Sequence, residues 1–403
     1  MNSPKLRFLG LEKAWKEVSL DTLASDIYGG GTPSKEHKEY WEGELPWISS
    51  SDLFENDIHS VNITRFISDE AVNNSATKKV TKGSVLIVSR VGVGKVAYAN
   101  TDLYTSQDFT NIINPKCNPL FLSYYLSRLM RKKVLSVQGS AIKGIPSQEI
   151  KKYKIYLPDE SEQEKISEFL KTLDERISIE KKEIEKIKEI KKGLNKKVFS
   201  IDGEKWTHAK FEDIFDLKRS MPISRSGISD TPVTHNKIIH YGDILIKYDT
   251  LVDAEVDQVG YLSKEISIKK EDLLVNGDIV FADAAEDYSV GKAIEVNNIN
   301  SVLVSGLHTI AASPKIKFNE GYLGYFFNSK IFTDQVRFLA VGTKVMSLTK
   351  AAIMKTDVYY PSIQRQEYIS NLMANIDRKI NLKIERLHLL EHLKDGFMQK
   401  MFM

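Results

Sequence analysis

The sequence predicts an α+β protein built as a tandem duplication. Each half is a compact globule followed by a long helix, and the two helices form an antiparallel coiled coil. Three observations predict this. Residues 139–199 match residues 342–402 without a gap, at an offset of 203 residues. Both matching segments carry apolar residues at helical spacing, and the segments before them alternate short β-rich runs with turns. A repeat of this length predicts two structurally equivalent halves.

Weaker landmarks extend the match upstream while the offset grows, which indicates loops of unequal length between shared elements. They pair Trp15 with Trp206, Gly83 with Gly277, Gly94 with Gly291, and Phe121 with Tyr322. The length of 403 residues fits two or three domains at roughly 150 residues each. We expect the first globule at 1–158, the first helix at 159–200, the second globule at 201–360 and the second helix at 361–403.

Each globule is expected to combine short strands with helices. Strands are predicted at 84–88, 95–98 and 111–113 in the first globule, at 244–248, 279–282 and 303–312 in the second, and helices near 120–135 and 321–339. A globule of this size can bury its own core.

The segment after each globule is predicted to be a long helix. Pro158 ends the preceding strand, and Ser161 with Glu164 predicts a capping box. Apolar residues then recur in steps of three, four and seven, as in a coiled-coil seam. The seam includes Ile166, Leu173 and Ile177 in the first copy and Ile369, Ile376 and Ile380 in the second. Each helix would have about 38 residues and a length of about 57 Å.

If these helices pair with each other, the order globule, helix, globule, helix makes them antiparallel, with one globule at each end. Such an arrangement suits a bipartite duplex target with two different half-sites. The helices would act as a ruler, with an upper bound of about 17 base pairs.

Composition limits the class of protein. The 57 basic and 54 acidic residues give a net charge of +3, which is too balanced for a histone-like DNA binder. The single Cys117 excludes an internal disulfide, and no run of 18 apolar residues or leader-like amino terminus occurs. A cytoplasmic protein without a membrane segment is expected. The basic excess at 176–199 is better explained by a solvated helix face than by DNA contact.

Several motifs together resemble one family. The first half carries GGTPS at 30–34, GELPWIS at 43–49 and SRVG at 89–92, and both halves lead through a Gly- or Ser-containing turn and Pro158 or Pro361 to a Gln-Glu pair before the helix. This order, present twice at the helix junctions, resembles the specificity (S) subunits of type I restriction-modification systems along the whole chain. The second half departs from it, with YGDILI at 241–246 and EDYSVGK at 286–292. The two globules therefore belong to different sequence classes.

The resemblance implies that each globule is a target recognition domain that reads one half of an asymmetric double-stranded DNA site. It implies a subunit without a catalytic centre, whose paired helices dock two methyltransferase (M) subunits. Restriction and translocation would belong to separate R subunits. S-adenosylmethionine, ATP and Mg²⁺ would act in the partners, so no cofactor and no metal is expected here. We expect the seam residues Ile166, Leu173, Ile177, Ile369, Ile376 and Ile380 to be partner-binding.

Candidate DNA-binding residues are polar or basic side chains at turns and strand ends, where they could reach phosphates or base edges. They are Thr32, Arg90, Lys95, Gln107, Lys143, Lys247, Tyr288, Ser289, Lys292, His308 and Lys344. For each, a structural role in a turn or core is the competing interpretation. VGVGK at 91–95 lacks the spacing of a phosphate loop and is better explained as a hairpin turn.

Two alternatives to DNA recognition remain. His388, Glu391 and His392 match the H-x-x-E-H zinc protease signature, but they lie on the coiled-coil helix and only 11 residues follow. A metalloenzyme is therefore disfavoured. The other alternative is a coiled-coil scaffold that joins proteins without reading DNA.

Overall fold

The computed structural model describes residues 4–136, 144–201, 205–264, 266–342 and 344–402. The chain divides into two compact units. Unit 1 comprises Met1–Lys182 and Glu385–Met403, and unit 2 comprises Glu183–Ile384. Each unit therefore contains one globule and parts of both long helices.

The described part of unit 1 contains ten strands around a small set of helices. The strands are Lys16–Ser19 (β1), Asp26–Gly29 (β2), Leu45–Ile48 (β3), Arg65–Ile67 (β4), Lys79–Val80 (β5), Val85–Val88 (β6), Val96–Tyr98 (β7), Leu103–Thr105 (β8), Phe109–Ile113 (β9) and Lys154–Leu157 (β10). The helices are Leu20–Leu23 (α1), Asp69–Asn73 (α2), Pro119–Ser136 (α3), Ser147–Lys151 (α4) and Glu160–Val198 (α5), which continues into unit 2, with 3-10 turns at Lys38–Trp41 and Ser50–Asp52.

The strands of unit 1 form two four-stranded sheets and one pair. Their orders are β2-β9-β6-β7 and β4-β3-β8-β5, and β1 pairs with β10. Every side chain of β6 and β9 is buried, which explains why these runs are largely apolar and do not alternate with exposed polar residues. Helix α3 packs on this core through Phe121 and Tyr124, both fully buried.

Unit 2 follows the same plan with added pieces. Its strands are Thr207–Lys210 (β11), Phe215–Lys218 (β12), Ile228–Ser229 (β13), Lys237–Ile239 (β14), Leu251–Asp253 (β15), Gly260–Leu262 (β16), Ile279–Ala282 (β17), Ala284–Ala285 (β18), Ala293–Asn297 (β19), Leu303–Ser305 (β20), Thr309–Pro314 (β21), Met346–Ser347 (β22) and Asp357–Tyr360 (β23). Its helices are Phe211–Ile214 (α6), Tyr241–Ile246 (α7), Tyr322–Phe327 (α8), Lys330–Leu339 (α9), Lys350–Met354 (α10) and Ile363–Met401 (α11), which ends in unit 1, with 3-10 turns at Arg225–Gly227 and Lys270–Asp272.

The sheets of unit 2 correspond to those of unit 1. The order β12-β21-β17-β19-β15 repeats β2-β9-β6-β7 with one extra edge strand, and β11 pairs with β23 as β1 pairs with β10. Strand β14 runs parallel to β20 as β3 runs parallel to β8. The predicted duplication of an α+β globule is therefore confirmed at the level of strand order.

The two long helices, of 39 residues each, pair with each other in an antiparallel sense. In unit 1 the early part of α5 packs against the end of α11, where the rings of Phe169 and Phe397 meet at 4.9 Å. In unit 2 the late part of α5 packs against the early part of α11, where Lys191 pairs with Asp377 at 2.5 Å. The predicted antiparallel pairing is therefore confirmed.

Local details of the helix starts differ from the predicted capping box. Helix α5 begins before Ser161, and the Asp159 carboxylate accepts the N–H of Glu162 at 3.1 Å. The equivalent position in the second copy is Ser362, whose hydroxyl accepts the N–H of Arg365 at 3.4 Å. The cap therefore lies one residue after each proline, where the chain leaves the strand.

Three predicted elements of unit 2 are corrected. Residues 244–248, expected as a strand, belong largely to helix α7, because the His240 ring accepts the N–H of Gly242 and starts a helical turn. The run 303–312 is split by a turn in which His308 has a φ of 57°. The helix expected at 321–339 is two helices, and Ser329 begins the second one.

Candidate nucleic-acid interface

A cleft of about 480 Å³ opens in unit 1 beside the turn that joins β8 to β9. It is lined by Thr32, Lys35, Trp41, Trp47, Ser49, Arg65, Ser106, Gln107 and Asp108. Two of the predicted DNA-binding residues meet here, since the Thr32 hydroxyl donates a hydrogen bond to the Gln107 side-chain oxygen. Gln107 itself is exposed. The cleft thus brings together residues that are far apart in the sequence.

Arg65 lines this cleft, although the sequence did not predict it as a DNA-binding residue. Its guanidinium lies 4.7 Å from the centroid of the Trp47 ring. It donates to the Ser49 hydroxyl at 2.7 Å and pairs with the Asp52 carboxylate. The Arg65 side chain is nevertheless 39% exposed. No motif surrounds Arg65 in the sequence, so only the pairing of β3 with β4 brings it to the cleft.

The loop and turn that frame the cleft explain two motifs of the first half. A Cβ atom on Gly30 would lie 2.1 Å from the Thr105 carbonyl oxygen, so only glycine fits at the start of GGTPS. The indole N–H of Trp47 donates to the Gly31 carbonyl at 2.9 Å. The Asp52 carboxylate accepts the N–H of Ser49 at 2.7 Å, which closes the turn after β3.

Unit 2 presents a different set of side chains at the equivalent place, which is the turn between β20 and β21. His308 is exposed there, with Nδ1 3.3 Å from Asp283 and its ring 5.3 Å from that of Tyr241. Burial raises the pKa of the Asp283 carboxyl. The N–H of Gly306 donates to the Ile239 carbonyl as the N–H of Ser106 donates to that of Ile48, which establishes the equivalence.

An arginine pairs with an aspartate beside both turns, although the two arginines come from unrelated positions. Arg225 precedes helix α7 in the sequence and pairs with Asp243 at 3.0 Å and with Asp230 at 2.9 Å. Arg65 follows the 3-10 turn at Ser50–Asp52 and pairs with Asp52. Asp52 and Asp243 each lie four residues after the equivalent isoleucine. Two carboxylates therefore neutralise Arg225, whereas Arg65 has one.

Lys95 and Lys292, both predicted to contact DNA, are half-buried, and their ammonium groups form hydrogen bonds within their own units. The Lys95 ammonium donates to the Leu53 carbonyl at 2.8 Å and to that of Ser50 at 3.3 Å. The Lys292 ammonium donates to the Tyr248 carbonyl at 2.7 Å and to that of Leu245 at 3.3 Å. Burial lowers the pKa of Lys292. Their contact with DNA stays a prediction, while in the structure these ammonium groups satisfy backbone carbonyls in or just after the 3-10 turn or short helix beside the interface.

The remaining candidates are not gathered into the cleft. Arg90, Lys247, Tyr288 and Lys344 are exposed, and the Arg337 guanidinium lies 5.9 Å from the Tyr288 ring. Ser289 lies in a turn where its N–H donates to Asp287 at 2.8 Å. Lys143 lies outside the described residues. These positions stay predictions.

Comparisons with known proteins agree with this duplicated architecture. A family model described as the type I restriction modification DNA specificity domain matches residues 12–189 and again 203–392. The chain belongs to this specificity family. The type I restriction enzyme MjaIX specificity subunit of Methanocaldococcus jannaschii is 25% identical over 419 residues, covering 97% of this chain and 93% of that protein. The EcoR124I/EcoR124II specificity subunit of Escherichia coli is 32% identical over 168 residues, which cover 39% of this chain and 41% of that protein.

Solved structures share the fold. The crystal structure of a type I restriction-modification S subunit from M. genitalium matches with a TM-score of 0.58 at 16% identity, covering 100% of this chain and 99% of that one. A chain from a structure of the type I R-M system matches with a TM-score of 0.61 at 13% identity, covering 98% of both.

Within the described part of this specificity-family chain, no helix is both long and apolar enough to cross a membrane.

The seam residues predicted to bind partners lie mostly against the cores of their own units. Ile166, Ile177, Ile369 and Ile380 are at most 8% exposed, and Leu173 and Ile376 pack against the cores of their units. Four of the six side chains are thus buried and two are partly buried, and their role in partner binding stays a prediction.

The H-x-x-E-H segment lies on the part of α11 that belongs to unit 1. His388, Glu391 and His392 line a cleft of about 950 Å³, and Glu391 pairs with Lys181 at 2.9 Å. Among the residues that the structure describes, no group of three His, Cys, Asp or Glu side chains is placed to hold a metal ion.

Proposed function

We propose that this chain is the DNA specificity subunit of a type I restriction-modification complex, and that each unit reads one half of a bipartite duplex target. The observation that carries the proposal is the double match to the specificity domain, over residues 12–189 and 203–392. Each match contains one exposed turn between equivalent strands, β8 and β9 in unit 1 and β20 and β21 in unit 2. The relatives that match along the chain are themselves described as specificity subunits.

The two half-sites differ in this proposal because the two turns carry different chemistry. Unit 1 presents Arg65 and Gln107, which are donors for base edges. Unit 2 presents His308 and Tyr241, and Arg225 beside them is paired with two carboxylates. Two dissimilar surfaces suit an asymmetric target.

The chain directs the chemistry of its partners and carries no catalytic group of its own. Two methyltransferase subunits bind it, and restriction subunits complete the assembly. S-adenosylmethionine, ATP and Mg²⁺ act in those partners. With a net charge of +3, the chain alone binds DNA weakly, and the partners supply most contacts with the phosphates. The length of the paired helices sets the spacer between the half-sites.

The test is to co-express the chain with its cognate methyltransferase and to map methylated adenines in genomic DNA by single-molecule sequencing. We expect one motif made of two specified halves separated by an unspecified spacer. The methyltransferase expressed without the chain is the control and should give no such motif. A purified complex that methylates DNA without a bipartite motif would contradict the proposal and favour a scaffold role.

A further inference from the structure

We infer that Arg65 and Gln107 are specificity-determining residues, and that the cleft of unit 1 reads a guanine in the first half-site. The inference rests on the proposed function and deepens it by naming the base. It follows from the geometry of the cleft and from the hydrogen-bonding groups that remain available there.

Arg65 is held in place before any DNA binds. Its guanidinium lies over the Trp47 ring at 4.7 Å, and Nη2 takes both hydrogen bonds, to Ser49 and to Asp52. The Asp52 carboxylate is itself fixed by the N–H of Ser49. A positioned arginine loses less conformational freedom on binding than a free one. Asp52 and Trp47 are therefore positioning residues for Arg65.

The groups of Arg65 and Gln107 that remain unpaired are donors. The Nε and Nη1 groups of Arg65 have no hydrogen-bond partner within the described part of the chain. The Thr32 hydroxyl donates to the Gln107 oxygen, and that contact leaves the Gln107 amide nitrogen for another acceptor. In the major groove guanine presents two adjacent acceptors, O6 and N7, whereas adenine presents one acceptor beside a donor. A set of donors therefore matches guanine.

Arg225 of unit 2, which comes from an unrelated position but lies beside the corresponding turn, provides an internal comparison. Arg225 donates through Nη1 to Asp243 and through Nη2 to Asp230, both in two-oxygen contacts of 2.9 to 3.2 Å. Both terminal nitrogens are thus engaged, and two carboxylates balance the charge. The number of free nitrogens and of paired carboxylates therefore assigns Arg225 a structural role and leaves Arg65 to contact a base.

The experiment uses the complete chain assembled with its methyltransferase and compares the methylated motifs of three variants. Arg65→Lys keeps the charge but loses the guanidinium donors, Gln107→Ala removes the exposed amide, and Arg225→Lys is the matched control in unit 2. We expect the first two variants to relax a guanine position in one half of the motif. Methylation of sites with a wrong base there should rise roughly tenfold or more relative to the correct site. In these two variants the other half of the motif and the spacer should stay unchanged. The Arg225→Lys control should leave the first half of the motif unchanged.

Each other outcome overturns either the inference or the function on which it rests. If the wild-type complex gives no bipartite motif, the proposed function fails. If it gives one and Arg65→Lys leaves both halves intact, the inference fails while the function stands. A uniform decrease in methylation at all sites, with an unchanged motif, would assign Arg65 to a phosphate and also overturn the inference. Relaxed specificity at a position of the motif that is not guanine would also overturn the inference.

Discussion

Lys95 and Lys292 make the same kind of internal contact in the two units. They lie next to glycine in equivalent hairpin turns, and each ammonium group donates to two backbone carbonyls of the short helix or turn beside the interface. The repetition of this contact in both units indicates a structural requirement. A carbonyl at the end of a helical turn has no partner within the helix, so it needs a donor from elsewhere.

Replacing Lys95 with Met tests this role, because Met keeps the aliphatic stem and removes the donor. We expect the free energy of unfolding to fall by about 1–3 kcal/mol, since two carbonyls lose their partner. Chemical denaturation measures this change. The salt dependence of DNA binding by the assembled complex should not change. Arg90→Met, in the same hairpin, is the control and should leave stability unaltered. A smaller salt slope without loss of stability would instead assign Lys95 to a phosphate.

At the scale of elements, a three-residue cluster joins each globule to both long helices. In unit 1 the Asp174 carboxylate of α5 accepts from Tyr124 of α3 at 2.7 Å and pairs with Lys394 of α11 at 2.5 Å. Burial alone would raise the pKa of Asp174, but hydrogen bonds from His59, Lys394 and Tyr124 and the Lys394 charge outweigh it and lower that pKa.

The same cluster recurs in unit 2, with the aspartate and the lysine at the offset of 203 residues and the tyrosine at an offset of 201. Asp377 of α11 accepts from Tyr325 of α8 at 2.9 Å and pairs with Lys191 of α5 at 2.5 Å. Three elements that are separate in the chain thus meet at one carboxylate in each unit. We interpret the cluster as the contact that fixes the position of each globule relative to the two long helices in its unit.

A double-mutant cycle on Asp174 and Lys394 measures this contact. Asp174→Asn and Lys394→Met should each destabilise unit 1 by about 3 kcal/mol, because each leaves a charge without its partner in a largely buried place. The double variant should lose less than the sum, with a coupling of about 1–3 kcal/mol in chemical denaturation. The equivalent cycle on Asp377 and Lys191 is the matched control in unit 2. Additive losses would show that the pair contributes no specific coupling.

At the scale of the whole molecule, the duplication places two equivalent apolar pairs on the outside of the helices. Ile179 and Leu393 belong to unit 1, and Leu382 and Ile190 to unit 2. Ile179 is 55% exposed and its equivalent Leu382 is 59% exposed, while Ile190 is 48% and its equivalent Leu393 is 52% exposed. Exposed aliphatic side chains at matching positions suit two copies of one partner, and they replace the buried seam as the expected docking residues.

The stoichiometry of the complex tests these surfaces. Ile179→Asp with Leu393→Asp should remove one methyltransferase copy, and Ile190→Asp with Leu382→Asp should remove the other, because a charge in an apolar contact weakens binding by roughly tenfold or more. Native mass spectrometry of the purified complexes gives the copy number. Thr172→Asp, an exposed position on α5, is the control. Two copies retained in both double variants would place the docking surface elsewhere.

The sequence alone was sufficient to predict the duplication, the strand β17, the helix α3 and both long helices. These features depend on local periodicity and on caps or prolines within a few residues, which one segment of chain carries by itself. The family resemblance also needed only motif order. The same local reasoning failed at residues 244–248, where β-branched residues favoured a strand but the His240 ring begins a helix.

Only the tertiary structure decided which side chains face the solvent in the cleft and which satisfy the interior. Lys95 reaches a carbonyl 42 residues away, and Lys394 reaches Asp174 across 220 residues. Arg65 enters the cleft because β4 pairs with β3. A lysine at a glycine turn is chemically the same in the sequence whether its ammonium meets water, a phosphate or a carbonyl. The folded backbone determines which carbonyls need a donor, and that requirement separates structural cations from those left to read DNA.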